Sequence, residues 1–211
     1  MKDWADWHAG YDDPSSPLAA RLERVRAHLR QALDAAPAGP VRLVSLCAGQ
    51  GHDVIGVLPG HRRRRDVSAV LIEHDKRNAA EARRRAAAAG LPQVAVRQAD
   101  ASRASQFADA LPADVLLLCG IFGNISAAEI ARTVAAAPAL CAGGATVIWT
   151  RHRREPDLTP DLRAWFAASG FDEVAFDAVE TSTLVGVGVH RLRRAPAAGL
   201  PDEPLFTFPE A

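Results

Sequence analysis

The chain has 211 residues, 48% of them hydrophobic, and its 25 basic residues balance 25 acidic ones. That length suits one core with modest additions, and neutrality removes any global attraction to nucleic acid or an anionic membrane, so a small or neutral substrate is favoured. The amino terminus has no basic region followed by an apolar stretch, and no apolar run reaches the roughly eighteen residues of a membrane span, so neither secretion nor insertion is expected. Cys47, Cys119 and Cys141 are widely spaced beside apolar segments, the pattern of reduced packing residues in a cytoplasmic protein; no metal site is read from them.

Trp4, Trp7, His8 and Tyr11 crowd a segment that ends in Asp12-Asp13-Pro14, and aromatics this dense are expected to pack on something. Ser16 and Pro17 then form a helix start, and Leu18, Leu22, Val25, Leu29 and Leu33 recur at helical spacing. Residues 1–36 are read as an aromatic segment carried by a lid helix, residues 37–194 as the core, and residues 195–211 as a tail in which Leu205-Phe206-Thr207-Phe208 docks. Pro37-Ala38-Gly39-Pro40 breaks the helix and delivers the chain to a first buried strand from Val41 to Leu46.

That strand empties into Cys47-Ala48-Gly49-Gln50-Gly51, a candidate ligand loop, because glycines after a buried strand let a ligand approach the backbone. A short helix over 52–58 is stopped by Pro59-Gly60, and Arg62 to Arg65 read as a solvated connection. Val67 to Glu73 is a second buried strand whose terminal carboxylate stands where a ribose-binding acid belongs in a doubly wound fold. Asp75 caps a helix over 76–89 ended by Gly90, and Val94 to Gln98 is a third strand followed by Asp100 and Ala101. After a short helix over 102–110 comes the central strand Ala113 to Cys119, then the turn Gly120-Ile121-Phe122-Gly123-Asn124-Ile125. Ser126 and Glu129 are a capping box for a helix running toward Pro138.

Gly143-Gly144 turns into a fifth strand over 145–150, with Arg151-His152-Arg153-Arg154 at its carboxyl end. Thr159-Pro160 opens a helix closed by Ser169-Gly170. Two strands, 171–177 and 183–192, then follow without a helix between them, which implies an antiparallel edge to an otherwise parallel sheet.

Five strand and helix units followed by two helix-poor strands resemble the class I S-adenosylmethionine-dependent methyltransferases over about residues 40–192. That resemblance implies an α/β, doubly wound, seven-stranded sheet with S-adenosylmethionine as cofactor. It matches the family's nucleotide loop to Leu46-Cys47-Ala48-Gly49-Gln50-Gly51, its ribose acid to Glu73, and its adenine-contacting acid to Asp100 with Ala101; His74, Cys119 and Gly120 are further candidate cofactor contacts. The chain departs from the family in having Ser45 where an acid is common and Cys47-Ala48-Gly49 where the loop often reads Gly-Cys-Gly. The turn after Cys119 also lacks the Asn/Asp-Pro-Pro-aromatic signature of methyltransferases acting on amino or base nitrogen.

For the acceptor, His8 and Tyr11 are candidates to cover the cofactor or touch substrate, against a purely anchoring role for the aromatics. Arg151 and His152 are candidates to orient an anionic acceptor and accept its proton, against a surface turn that neutralises Glu155 and Asp157. Asn124 either binds ligand or caps its own turn. The favoured function is methylation of a small-molecule acceptor on oxygen or nitrogen. An NAD(P)-dependent oxidoreductase, an RNA methyltransferase and a non-catalytic nucleotide-binding module remain as alternatives; the first lacks a third glycine and a Tyr-x-x-x-Lys pair, since Tyr11 is the only tyrosine.

Overall fold

In a computed structural model, residues 9–11, 13, 15–180, 184–193 and 199–208 are described. Trp4, Trp7 and His8 lie outside them. The apolar runs form the strands β1 (Val41–Leu46), β2 (Val67–Glu73), β3 (Val94–Gln98), β4 (Ala113–Leu118), β5 (Cys141–His152), β6 (Phe171–Glu180) and β7 (Leu184–Leu192). They make one seven-stranded sheet in the order β3-β2-β1-β4-β5-β7-β6. The first five are parallel, and the antiparallel strand is β7, which lies one in from the rim and pairs with both β5 and β6.

The helices α1 (Pro17–Ala35), α2 (Val54–Val57), α3 (Lys76–Ala88), α4 (Ala127–Leu140) and α5 (Thr159–Ala168) start where their caps stand. Ser16 accepts from the Ala19 N–H, Asp75 accepts from those of Arg77 and Asn78, and Ser126 with Glu129 closes a reciprocal box. The stretch 102–110, expected as a short helix, is a 3-10 helix over Ala104–Ala110, and another 3-10 turn, Leu58–Gly60, extends α2. β5 begins earlier than the Gly143-Gly144 pair suggested: the glycines lie inside the strand, where the β4–β5 register shifts, as a bulge permits.

The two sheet faces carry separate cores. On one, Ile130 and Val134 of α4, Leu162 and Phe166 of α5, and Phe107 pack over Leu116, Leu118 and Trp149, and Leu205 and Phe206 of the tail are buried with them. The Leu205 N–H donates to the Ser102 carbonyl and the Thr133 hydroxyl to the Leu205 carbonyl, both at 2.7 Å. On the other face α1 lies across β5, β7 and β6, burying Leu22, Val25, Leu29 and Leu33. Each such side chain contributes about 1.5–3 kcal/mol. His28, on the same side of α1, sits 2.9 Å from Asp177 of β6 and fixes the crossing.

The arginine run corrects the expectation of a solvated connection. Arg63 is 8% exposed, and its guanidinium donates to the carbonyls of Leu33, Ala36, Pro37 and Gly39 and to the Asp66 carboxylate. It thereby satisfies the unpaired carbonyls left where α1 ends.

Candidate cofactor and acceptor site

The strand order reverses direction between β1 and β4, and in an open α/β sheet the crevice beyond the carboxyl ends at that point is where ligands bind. The loop leaving β1 is built from left-handed backbone: Cys47, Gly49 and Gly51 have φ of 52°, 56° and 70°. For the non-glycine Cys47 this costs about 1 kcal/mol, strain of the kind kept at functional loops. The loop is stitched to the end of β2 by the Ala48 N–H on the Ile72 carbonyl at 2.9 Å and the Gly49 N–H on Glu73 Oε2 at 2.7 Å. Gly51 is required by packing as well as by φ, since a Cβ there would stand 2.7 Å from Ile55 and 2.8 Å from Leu71. Ala48 is half-buried beside it.

Glu73 is buried, and its other oxygen accepts from the Asp75 N–H at 2.7 Å. Burial pushes its pKa up, against the pull of those two N–H groups. At the end of β3, Asp100 is half-exposed and accepts from the Ser102 N–H at 2.9 Å. The Ala101 side chain is buried in the core, whereas His74 is exposed.

Cys119 and Gly120 directly follow the carboxyl end of β4. Burial pushes the thiols of Cys47 and Cys119 far above their usual range, so both are protonated packing groups. Gly120 has φ of 80°, donates its N–H to Thr150 at 3.0 Å, and has no atom within 4 Å of where a Cβ would project. Asn124 donates its side-chain amide to the Gly120 carbonyl at 2.7 Å, so it caps its own turn.

At the end of β5, Arg151 is 7% exposed and donates through Nη1 to the Phe122 carbonyl, while its Nε has no partner. This is not the expected surface turn: Asp157 instead accepts from Thr159 and Arg153. His152 stands against Gly123, and its Nδ1 is buried without a partner. Burial and the charges of Arg151 and Arg154 hold its pKa below the usual histidine range, so the ring is neutral near pH 7.

The 3-10 turn Ala9–Tyr11 brings one aromatic of the N-terminal segment to this end of the sheet. The Tyr11 ring lies 4.7 Å from that of His52, and Arg21 donates to its hydroxyl. Burial raises the Tyr11 pKa. Asp53 is also buried, caps the Val54 N–H at 2.7 Å, and is pushed up by burial. Arg26 donates through Nε and Nη2 to the His52 carbonyl at 3.0 and 2.8 Å. Arg21, Arg26, His52 and Asp53 were not singled out from the sequence. The only trace of the contact there is Gly56, whose missing Cβ leaves room for the Arg26 guanidinium.

This strand order, with a glycine loop after β1 and acids after β2 and β3, is the class I S-adenosylmethionine-dependent methyltransferase fold. Among solved structures, the chain is similar to magnesium protoporphyrin IX methyltransferase from Synechocystis PCC 6803 with bound SAH: TM-score 0.67, 11% identity, 88% of this chain and 92% of that one. It is also similar to a putative tRNA (m1A22) methyltransferase of Streptococcus pneumoniae, with TM-score 0.55 and 20% identity over 84% of this chain and 72% of that one. The cyclase SpnF matches with TM-score 0.62 and 14% identity, over 81% of this chain and 80% of that one. No protein-family model matches the sequence, and no curated protein matches it. Likeness at these identities establishes the fold; chemistry must be argued from the site. Among the described residues no cluster of His, Cys, Asp and Glu could hold a metal ion, and no helix is long and apolar enough to cross a membrane.

Proposed function

We propose that this protein is an S-adenosylmethionine-dependent methyltransferase acting on oxygen or nitrogen of a small-molecule acceptor. The observation that carries the reading is the Glu73 carboxylate, held beneath the loop at the strand-order reversal. Each of its oxygens accepts one backbone N–H, and a carboxylate has about four acceptor sites, so capacity remains for two ribose hydroxyls. Asp100 would accept from the adenine amino group with the oxygen not facing Ser102, and the backbone of Cys47 to Gly51 would border the methionyl part. The cofactor would supply an activated methyl group. What the chain adds is alignment, which is worth several kcal/mol for such a displacement.

His152 is the proposed proton acceptor, because its ring is neutral and its Nδ1 is free of protein partners. Tyr11 is proposed to cover the pocket rather than to act as a base, since burial keeps its hydroxyl protonated. His8 lies outside the described residues. A dinucleotide is disfavoured because the Val54 N–H, which a pyrophosphate would need at the start of α2, is held by Asp53. A nucleic-acid acceptor is disfavoured by the zero net charge.

The reading is tested by calorimetry with S-adenosylmethionine and, separately, NADPH, followed by transfer of labelled methyl groups to small acceptors and to total RNA. Binding of the methyl donor with label in a small product is expected, and His152→Gln should lower turnover while leaving donor affinity intact. Donor-independent binding of NADPH, or label in RNA alone, would refute it.

A further inference from the structure

Among the described residues two arginines are buried, and they differ in one respect. Arg63, 8% exposed, has four carbonyls and a carboxylate around its guanidinium. Arg151, 7% exposed, has one carbonyl, an Nε without a partner, and no carboxylate within ion-pair distance among the described residues. The nearest candidate, Asp157, is held by Thr159 at 2.8–2.9 Å and by Arg153 at 3.3 Å. The Asp157 charge still acts on Arg151 from beyond ion-pair distance. A buried guanidinium without a direct ion-pair partner is expensive, and proteins retain such groups where a ligand completes them. Arg151 stands at the carboxyl end of β5, holding the Phe122 carbonyl two residues from Gly120, whose Cβ position is open space. The adjacent His152 carries a second unpartnered polar atom.

We propose that Arg151 is the receptor for an oxyanion, a carboxylate or a phosphate, carried by the acceptor; this rests on the methyltransferase reading for what is done with that molecule, but not for its binding. The anion supplies a direct ion-pair partner and holds the acceptor's nucleophilic atom at the rim beside His152. A guanidinium suits this because its planar fork matches both kinds of oxyanion.

The test uses the full chain without any methyl donor, so that it is independent of whether S-adenosylmethionine binds. Benzoate, phenyl phosphate and, as the neutral control, benzamide are titrated at constant ionic strength while backbone amide resonances are followed. Benzoate or phenyl phosphate should shift the amides of 120–124 and 150–153, benzamide should not, and Arg151→Gln, which keeps a donor for the Phe122 carbonyl, should weaken the anion by about tenfold or more. Whichever anion binds identifies the oxyanion. Absence of shifts at those amides with either anion, equal shifts with benzamide, or unchanged affinity in Arg151→Gln would overturn the proposal. The wild-type map decides the matter even if the variant does not fold. Donor binding with no anion response would leave the methyltransferase reading standing and remove this one.

Discussion

Acid should weaken the fold through one histidine. His190 of β7 is 1% exposed, stacked on Phe166 at 4.5 Å and on Trp149 at 6.0 Å, and its Nδ1 accepts from the Trp149 indole N–H at 3.1 Å. That bond fixes the neutral tautomer with hydrogen on Nε2, whose nearest acid, Glu173, is 3.7 Å away and bound to Arg163. Burial therefore lowers its pKa from 6.5 to about 4, despite Glu173. Above pH 6.5 neither folded nor unfolded chain protonates this ring, and its contribution is complete. Between 6.5 and about 4 only the unfolded chain takes the proton, so stability falls by about 1.4 kcal/mol per pH unit, about 3 kcal/mol in all. Glu73 and Asp53, raised by burial, act in the opposite direction. The measurement is therefore a difference: urea unfolding of the wild type and of His190→Gln at about pH 7 and about pH 4.5. The variant should lose about 2.5 kcal/mol less than the wild type over that interval. Parallel losses would show that the histidine titrates freely and that the tautomer argument is wrong.

Three further outcomes are expected. Glu73→Gln should weaken S-adenosylmethionine by about 1.5–3 kcal/mol in calorimetry, the range for hydrogen bonds to a charged group, and unchanged affinity in a folded variant would remove Glu73 from the site. Gly188→Ala places a Cβ 2.2 Å from the buried Trp149 ring and should cost about 3 kcal/mol, visible as a melting point lower by about 6–12 °C; a shift under about 2 °C would mean the ring has room to move. Arg63→Met strips donors from four carbonyls and should cost about 3 kcal/mol in urea unfolding, whereas a solvated arginine would cost under about 0.5 kcal/mol.

The sheet was readable because its central strands are buried on both faces, so Val41–Leu46 or Ala113–Leu118 has little choice but to be mostly apolar. The strand ends carried the site for the same reason: a carboxylate closing an apolar run, as Glu73 does, stands out. Which of the last two strands enters between β5 and the rim was not readable, since both follow α5 without a helix between them and their order is decided by pairing. Nor could charge alone reveal burial. Arg63 and Arg62 are identical neighbours in sequence, but only Arg63 meets carbonyls freed at the end of a helix about thirty residues earlier. Arg151 escaped for a related reason, because its depth depends on Phe122 of a separate loop. Asn124 shows the converse: a polar residue in the right turn whose amide serves the turn itself.

The N-terminal helix links these observations. α1 is fixed to the sheet by its apolar face and by His28 on Asp177, so its polar face is held at a set height above the ligand loop. From there Arg26 places two N–H bonds on the His52 carbonyl, just past Gly51, and Arg21 holds the Tyr11 hydroxyl while the Tyr11 ring rests on that of His52. The loop conformation needs such support. Three left-handed residues in five make a backbone that its own propensity would not select, and β2 restrains it only from one side. α1 restrains it from the other. The helix is thus a layer of the fold packed across β5, β7 and β6, and the short turn at Tyr11 in front of it is the part proposed to cover the pocket. A segment that packs on the same histidine whose carbonyl anchors the loop is placed to respond to whatever the loop holds.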